Sequence, residues 1–411
     1  MESIGLSFAL LGVALVVATL TYPFVVAFAK LYNIVDNPNV RKLQAVPVPV
    51  MGGTAVFLGL AISMLTAYFL LGDARLVKVL GFLAVMYFIG LWDDLKDLPA
   101  SFKFLIEVGI SWAIIIVLGV EINNFHGLFG IYRLHDVIAV PLTLIAGVGI
   151  MNAVNMIDGV DGYCSSYGVM ACLAFAVVFY RSGDTAMFAL ALIEAGALIP
   201  FFFHNVFGKT SKMFLGDGGS LTLGVLLALF TFSALSNRTA CSAAFDLSGL
   251  SPVALTLAIL AIPIFDTLKV MSYRMVKGIS PFRPDKTHLH HLFIDMCFSH
   301  LATTGIIVLY NLMIVGALLL SWKLGASAMI QLLIVLFLAL LMTCGFYFVM
   351  AWERKKNSGE GSELFKRWCD YGKKTHVSSS TIWKFVCAIV DCRLLGGTMI
   401  LTYWQHHINN L

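Results

Sequence analysis

Eleven stretches of this chain are apolar over about 20 residues each, the length a helix needs to cross the hydrocarbon core of a bilayer. They run near 4–28, 53–71, 76–92, 104–121, 137–156, 166–181, 186–204, 218–236, 252–271, 302–322 and 327–350. The composition agrees, at 59% hydrophobic and only 12% charged, against about 25% charged in a typical soluble domain. That excludes a disordered chain, a basic nucleic-acid-binding domain and an ordinary soluble enzyme. The expected fold is an all-α polytopic membrane protein of about 11 transmembrane helices. The first stretch reads as a span and not a cleavable signal peptide, because no basic residue precedes it and its apolar run is too long.

Sidedness follows from Lys and Arg, which are in excess in cytoplasmic loops. Loops after odd-numbered spans hold twelve, loops after even-numbered spans hold six, and nine more lie beyond the last span. The odd loops and the tail are therefore expected in the cytoplasm and the N-terminus outside. Residues 1–350 read as one integral membrane domain. Residues 351–411 read as a cytosolic or interfacial appendage, since their apolar part is interrupted by Lys384, Asp391 and Arg393 and is too short to span. Eight cysteines with no C-x-x-C pair read as small apolar fillers, not as a disulfide framework or a metal site.

Against this background the polar groups stand out. Asp93 and Asp94 end the third span. Asn152, Asn155, Asp158 and Asp161 close the fifth at a spacing of three, which lines them along one side of a helix and its first loop turn. Asp217 lies in Gly-Asp-Gly-Gly-Ser before the eighth span, and His288, His290 and His291 precede the tenth. All four clusters follow odd-numbered spans and so share the basic face, which points to one composite site. Clustered carboxylates repel unless a cation or protons intervene, and hard oxygen ligands suit Mg²⁺, with Mn²⁺ as the alternative. Basic residues nearby (Arg41, Lys42, Lys103, Arg274, Lys277, Arg283, Lys286) suit an anionic substrate. Carboxylates, a metal, basic side chains and glycines that admit close backbone approach together suggest phosphoryl chemistry on a diphosphate at the membrane surface.

Each signal also has a plain structural reading. An Asp-Asp pair is commonly a solvated helix end, although a helix C-terminus disfavours anions. Gly-Asp-Gly-Gly-Ser is a common turn or cap, and His-x-His-His can bind zinc, but no cysteine or further histidine sits at ligand spacing. His204-Asn205 reads as an interfacial cap, and His126 and His135 as part of an outer hairpin or re-entrant loop. Glu107 and Glu194 lie within spans, where either a function or burial in the protonated form would account for them. Asp266 follows the kinking Pro263 and lies about one turn from the basic face, within reach of the site.

Together the motifs resemble the polyprenyl-phosphate N-acetylhexosamine-1-phosphate transferase family, glycosyltransferase family 4. The resemblance covers roughly residues 30–300, in the family's order: Val35-Asp36-Asn37-Pro38 with Arg41-Lys42 and Met51-Gly52-Gly53, Asp93-Asp94, Asn152 to Gly162, Phe214 to Ser220, and Pro281 to His291. It implies Mg²⁺-dependent transfer of a sugar 1-phosphate from a UDP-N-acetylhexosamine to undecaprenyl or another polyprenyl phosphate, releasing UMP. By resemblance Asp217 looks like the metal ligand, and Asp93 and Asp94 like the pair that prepares the lipid phosphate, with Asp93 as the base. Asn155, Asp158 and Asp161 look like nucleotide-sugar contacts, Asp161 nearest the uracil and Phe214 stacking on it. Lys103 looks like a phosphate contact, as do His290 and His291. Lys42, Asn152, Arg274, Arg283 and His288 complete the expected substrate-binding set.

The histidine loop resembles the N-acetylglucosamine type more than the muramoyl-pentapeptide type, so UDP-GlcNAc is the expected donor. Another UDP-N-acetylhexosamine or UDP-MurNAc-pentapeptide is the alternative. Gly218, where Ala or Thr is usual, departs from the family pattern, but Asp217 and with it the implied metal ligand are kept. The implied setting is the bacterial inner membrane, multi-pass, with the site facing the cytoplasm; the lipid bilayer and a second copy in a homodimer are the implied partners, and nucleic acid is not one. The rival class is a transporter or scramblase, which would place its binding groups near the midplane, often within inverted repeats; no repeat is visible here.

Overall fold

A backbone in lipid must satisfy its own N–H and C=O groups, and nearly all of the regular structure here is helix. The computed structural model describes residues 2–36, 47–246, 248–280 and 287–348, with positions 370 and 373. The expectations for Lys42 and Arg283 fall outside the described residues, as does the 351–411 appendage apart from those two positions. The spanning helices are α1 (Glu2–Leu31), α2 (Gly52–Leu71), α3 (Arg75–Lys96), α4 (Ala100–Leu118), α5 (Asp136–Met156), α6 (Tyr163–Ser182), α7 (Thr185–Phe207) and α8 (Gly216–Ala234). A short α9 (Ala240–Asp246) follows, then α10 (Pro252–Ile259), α11 (Ala261–Val276), α12 (Leu289–Asp295), α13 (His300–Lys323) and α14 (Ala328–Leu340), which continues through a π turn at Leu341–Gly345. Ten of the described helices are long and apolar enough to cross a membrane, and the bent pair α10–α11 makes an eleventh if it is one span.

Two small antiparallel ribbons interrupt the helices: β1 (Val35–Asp36) with β2 (Val48–Pro49), and β3 (Asn124–Leu128) with β4 (Ile131–Arg133). The second is the hairpin anticipated around His126, and His135 caps α5 by accepting from the Val137 amide. Helix α8 is the axis of the bundle: 94% of its apolar window is buried, against 22% for the peripheral α1. It fits because two glycines let backbones touch. A Cβ on Gly90 of α3 would lie 2.5 Å from the Asp217 carbonyl, and one on Gly53 of α2 would lie 2.5 Å from the Gly219 amide. The N-terminus of α8, which carries Asp217, is thus gripped between α2 and α3.

The stretch 252–271, expected as one span, is broken at Leu260 and bent by 74°. Pro263 has no N–H for the Ile259 carbonyl four residues back, and its ring crowds that carbonyl. The Asn311 side chain on α13 repairs the break. Its Nδ2 donates to the Ala258 and Ile259 carbonyls at 3.1 and 2.9 Å, and its Oδ1 accepts from the Ile262 amide at 3.1 Å. The Tyr167 hydroxyl adds a second bond to the Ile259 carbonyl, at 2.9 Å.

Candidate active site

The four polar clusters of the sequence converge at one end of the bundle. Asp93 is in the last turn of α3, Lys103 in the first turn of α4, and Asp217 in the first turn of α8. Lys103 Nζ lies 2.6 Å from Asp93 Oδ2 and 3.2 Å from Asp217 Oδ2 and so bridges the two carboxylates. The second oxygen of Asp93 accepts from the Leu98 amide at 2.6 Å, which fixes the carboxylate against the α3–α4 turn. Asn155, at the end of α5, donates to Asp217 Oδ1 at 2.9 Å and to Ser220 Oγ at 3.0 Å.

Asp94 has a different part from its neighbour. Its Oδ1 accepts from the Asp217 amide at 2.9 Å and its Oδ2 from the Gly218 amide at 3.2 Å. It caps the first turn of α8 from another helix, where the N–H groups have no partner within α8 and the dipole favours an anion. Within the expected pair, Asp93 bonds Lys103 and Asp94 bonds the α8 amides, because successive side chains on a helix point about 100° apart. Gly216 takes a left-handed φ of 74°, and a Cβ there would meet Asp94 Oδ2 at 2.5 Å. The Gly-Asp-Gly-Gly sequence thus serves the cap as well as the axial packing.

The loop between α5 and α6 adds two more carboxyls. Burial pushes the Asp158 carboxyl well above the ordinary range, and the nearby Asp217 and Asp94 push it the same way, against a hydrogen bond from the Gly216 amide. For Asp161 burial also acts upward, but the His300 imidazole and Lys212 outweigh it and hold the carboxyl below the ordinary range. Lys212 Nζ lies 2.6 Å and His300 Nδ1 2.7 Å from Asp161 Oδ2. Neither residue is singled out by the sequence. Asn205, expected to be an interfacial cap, is instead buried, accepting from the Gly162 amide at 2.6 Å and donating to the Met213 carbonyl at 2.7 Å. It stitches the Asp161 loop to the segment before α8. Its neighbour His204 stacks on Tyr22 at 4.0 Å.

Other expected contacts divide by burial. Asn152 donates to Glu107 Oε2 at 2.5 Å and to the Val148 carbonyl at 2.9 Å, so the intramembrane Glu107 joins the network one step behind the acids. Glu194 is buried in α7, its Oε2 unbonded among the described residues. Phe214 is half-buried beside Lys212, whose Nζ is 5.9 Å from the ring centroid. Arg274 is buried two turns beyond Asp266 on the same face of α11.

In the histidine loop the three imidazoles are not equivalent. His288 Nδ1 bonds Asp266 Oδ2 at 2.9 Å, and Asp266 Oδ1 also takes the Leu289 amide at 3.0 Å and Lys269 at 2.6 Å. Through Nδ1, His288 braces the loop against α11. His290 is buried, and a Cβ on Gly159 would lie 2.8 Å from its Nε2, so the ring fills the space that glycine leaves open. Burial, then the neighbouring His291 and His288, push His290 well below the ordinary histidine value and keep it neutral. His291 is the less buried member of that pair.

Asp93 and Asp217 share the one Lys103 ammonium, and Asp94 and Asp158 lie close to Asp217, which leaves an excess of hard oxygen donors. No three His, Cys, Asp or Glu among the described residues form a ready-made metal cage. The set fits a hard divalent cation held by one or two carboxylates, with the remaining positions filled by phosphate oxygens and water. A cavity of about 610 Å³ lies at the opposite end of the bundle, lined by Asp73, Arg75, Asp184 and Arg238 among others. Arg75 pairs there with both Asp73 and Asp184 at 2.7 and 2.8 Å, and Arg238 lies 3.8 Å from Glu121, so the charges of this cavity are engaged with one another, away from the acid cluster.

Comparison with known proteins agrees with this reading. The model of glycosyl transferase family 4 matches residues 76–235, which include the acids of α3, of the α5–α6 loop and of α8. A protein named "Probable undecaprenyl-phosphate N-acetylglucosaminyl 1-phosphate transferase" from Bacillus subtilis (strain 168) is 30% identical over 303 residues, covering 72% of this chain and 80% of that one. The decaprenyl-phosphate N-acetylglucosaminephosphotransferase of Mycolicibacterium smegmatis is 33% identical over 327 residues, covering 72% and 78%. The undecaprenyl-phosphate alpha-N-acetylglucosaminyl 1-phosphate transferase of Escherichia coli (strain K12) is 28% identical over 277 residues, covering 66% and 72%. With that identity, that coverage and these acids at one end of a helical bundle, the chain belongs to the polyprenyl-phosphate N-acetylhexosamine-1-phosphate transferase family, a group of membrane-embedded glycosyl-1-phosphate transferases.

Proposed function

We propose that the protein transfers N-acetylglucosamine 1-phosphate from UDP-GlcNAc to undecaprenyl phosphate, releases UMP, and so starts a lipid-linked cell-envelope glycan in the bacterial inner membrane. The Lys and Arg count between spans supports a site on the cytoplasmic side and an N-terminus outside. The names of the relatives support the sugar and the lipid class, with decaprenyl in place of undecaprenyl in one of them. The observation that carries the reading is the Asp93–Lys103–Asp217 bridge at the end of a lipid-embedded bundle. It sets a base, a phosphate-binding cation and a metal-ligating carboxylate within a few ångströms of one another, where a lipid phosphate can meet a soluble diphosphate.

An oxygen of the lipid phosphate attacks the sugar-linked phosphorus of the UDP-sugar, the bond from that phosphorus to the bridging oxygen breaks, and UMP leaves with that oxygen. A phosphate monoester is already anionic near neutral pH, so the larger task is to bring two anions together in line. Asp93 orients the incoming phosphate and takes any remaining proton, while Lys103 offsets the charge. Asp94 keeps the α8 N-terminus, and hence Asp217, in register. Phe214 and Asp161 receive the uracil, Asn155 and Asp158 the rest of the nucleotide sugar, and His291 a diphosphate oxygen. Asp217, with phosphate oxygens and water, would hold Mg²⁺, or Mn²⁺ in its place, which supplies charge neutralisation at the diphosphate when bound.

The test is UMP release from UDP-GlcNAc and other UDP-N-acetylhexosamines by purified protein with undecaprenyl phosphate, with and without EDTA. Asp217→Asn is expected to abolish turnover and remove the metal-dependent part of donor binding. Release unaffected by EDTA, or a fully active Asp217→Asn, would overturn the metal assignment. No release with any donor from folded protein that still binds UDP would favour a transporter.

A further inference from the structure

We infer that Lys212 and His300 are positioning residues for the nucleotide end of the donor, acting through Asp161 to hold one of its carboxylate oxygens as a directed hydrogen-bond acceptor beside the Phe214 ring. This deepens the transferase reading and rests on it for the identity of the nucleotide.

The geometry is specific. Both side chains bind the same oxygen, Asp161 Oδ2, at 2.6 and 2.7 Å, from opposite parts of the chain: Lys212 just before α8 and His300 at the start of α13. Thr304, one turn further along α13, donates to the Asp161 carbonyl at 3.0 Å, so the backbone of the loop is tied to the same helix. Two donors on one oxygen fix the plane of a carboxylate, and no group among the described residues bonds Oδ1. His300 Nδ1 also lies 3.3 Å from the Asp161 amide, but one nitrogen cannot donate to the carboxylate and accept from that amide together. The shorter contact decides for an Nδ1–H donor.

Lys212 serves a second partner. Its ammonium is 5.9 Å from the Phe214 ring centroid while it holds Asp161, so the aromatic ring and the oriented carboxylate adjoin one cation. An aromatic face next to an oriented, ionised acceptor suits a planar heterocycle with an N–H on its edge. Uracil has such a group in its imide N–H. Cytosine carries a lone pair at that position, which a carboxylate repels. None of the hydrogen bonds or ion pairs of Lys212 and His300 reaches Asp93, Lys103 or Asp217. Their loss should therefore fall on donor binding and base selectivity and leave the chemical step alone.

The experiment uses the full-length protein in detergent, with gel filtration and thermal unfolding to confirm folding. UMP release from UDP-GlcNAc with undecaprenyl phosphate gives kcat and KM, and calorimetry gives UMP affinity without the lipid acceptor. His300→Ala and Lys212→Met are each expected to raise donor KM and weaken UMP binding by about tenfold, the loss of one charge-assisted hydrogen bond, with kcat within about twofold. His300→Asn and Lys212→Arg keep an N–H donor and should recover most of the affinity. The preference for UDP-GlcNAc over CDP-GlcNAc should narrow in the first two variants. Unchanged KM and UMP affinity in folded variants, or a loss confined to kcat, would overturn the inference, as would conservative variants no better than the truncations. If wild type binds UMP but transfers nothing, the transferase reading fails. If wild type transfers and these variants match it, only the present inference fails.

Discussion

Removal of the Asp94 carboxylate tests the division of labour between the adjacent acids. In Asp94→Ala the amides of Asp217 and Gly218 lose the acceptors that hold them at 2.9 and 3.2 Å. A buried donor left without its partner costs about 1–3 kcal/mol, which gives roughly 2–6 kcal/mol for the two amides. Asp94 is half-buried, so water entering the vacated space recovers part of this, and a net loss of about 2–4 kcal/mol is expected. At about 2.1 cal/mol/K of unfolding entropy per residue, a loss of that size in a chain of 411 residues lowers the unfolding midpoint by on the order of 2–5 °C. Asp94→Asn should fall between the two proteins, since its oxygen can still accept from one amide while its NH₂ faces the other donor. Thermal unfolding of purified protein, followed alongside UMP release, distinguishes the roles. If Asp94 is a cap, stability and turnover fall together, and Asn restores part of both. If Asp94→Ala unfolds at the wild-type temperature yet is inactive, the cap is wrong and Asp94 belongs with Asp93 in the chemistry.

Two further outcomes follow from the site. The folded protein holds His290 neutral through burial. The unfolded chain takes up that proton at the ordinary histidine value, so stability is full above about pH 6.5 and falls as pH drops below it, by up to about 1.4 kcal/mol per pH unit. His290→Gln should flatten the slope of unfolding midpoint between about pH 6.5 and 5, and an unchanged slope would show that His290 is protonated in place. Asn205→Ala strands the Gly162 amide and the Met213 carbonyl that it now bonds, at a cost of about 2–4 kcal/mol. Because the two loops carry Asp161 and Phe214, donor KM should rise as stability falls; a stable protein with unchanged KM would refute the stitch.

The span pattern was legible because lipid tolerates so few arrangements, and ten of the eleven stretches became continuous helices. The convergence of the acids was legible because their loops share one parity. The break in the ninth stretch was not. Pro23, Pro141 and Pro200 lie inside unbroken helices, so a proline alone does not announce a break. What differs at Pro263 is Asn311, a polar side chain on another helix that receives the freed carbonyl, and nothing local to 252–271 signals it. The roles of Lys212 and His300 are hidden in the sequence for a similar reason. They lie 51 and 139 residues from Asp161, and each alone reads as an ordinary charged or capping residue near a helix start. The adjacency of Asp93 and Asp94 suggested a common task, whereas helical geometry turns the two side chains to different partners.

The repaired bend at Leu260 also has a mechanical meaning. Straightening α10 and α11 into one rod would return the Ile259 carbonyl to a position with no N–H to meet it, since Pro263 offers none, and would strand Asn311 in an apolar interior. Each unpaired group there costs several kcal/mol, far above thermal energy. The 74° bend is therefore a braced corner and not a hinge. Helix α11 projects from it like a bracket, and Asp266, one turn beyond, carries the histidine loop at a set reach from the acids. The histidine loop at the end of that bracket thus has the corner as its fixed mount.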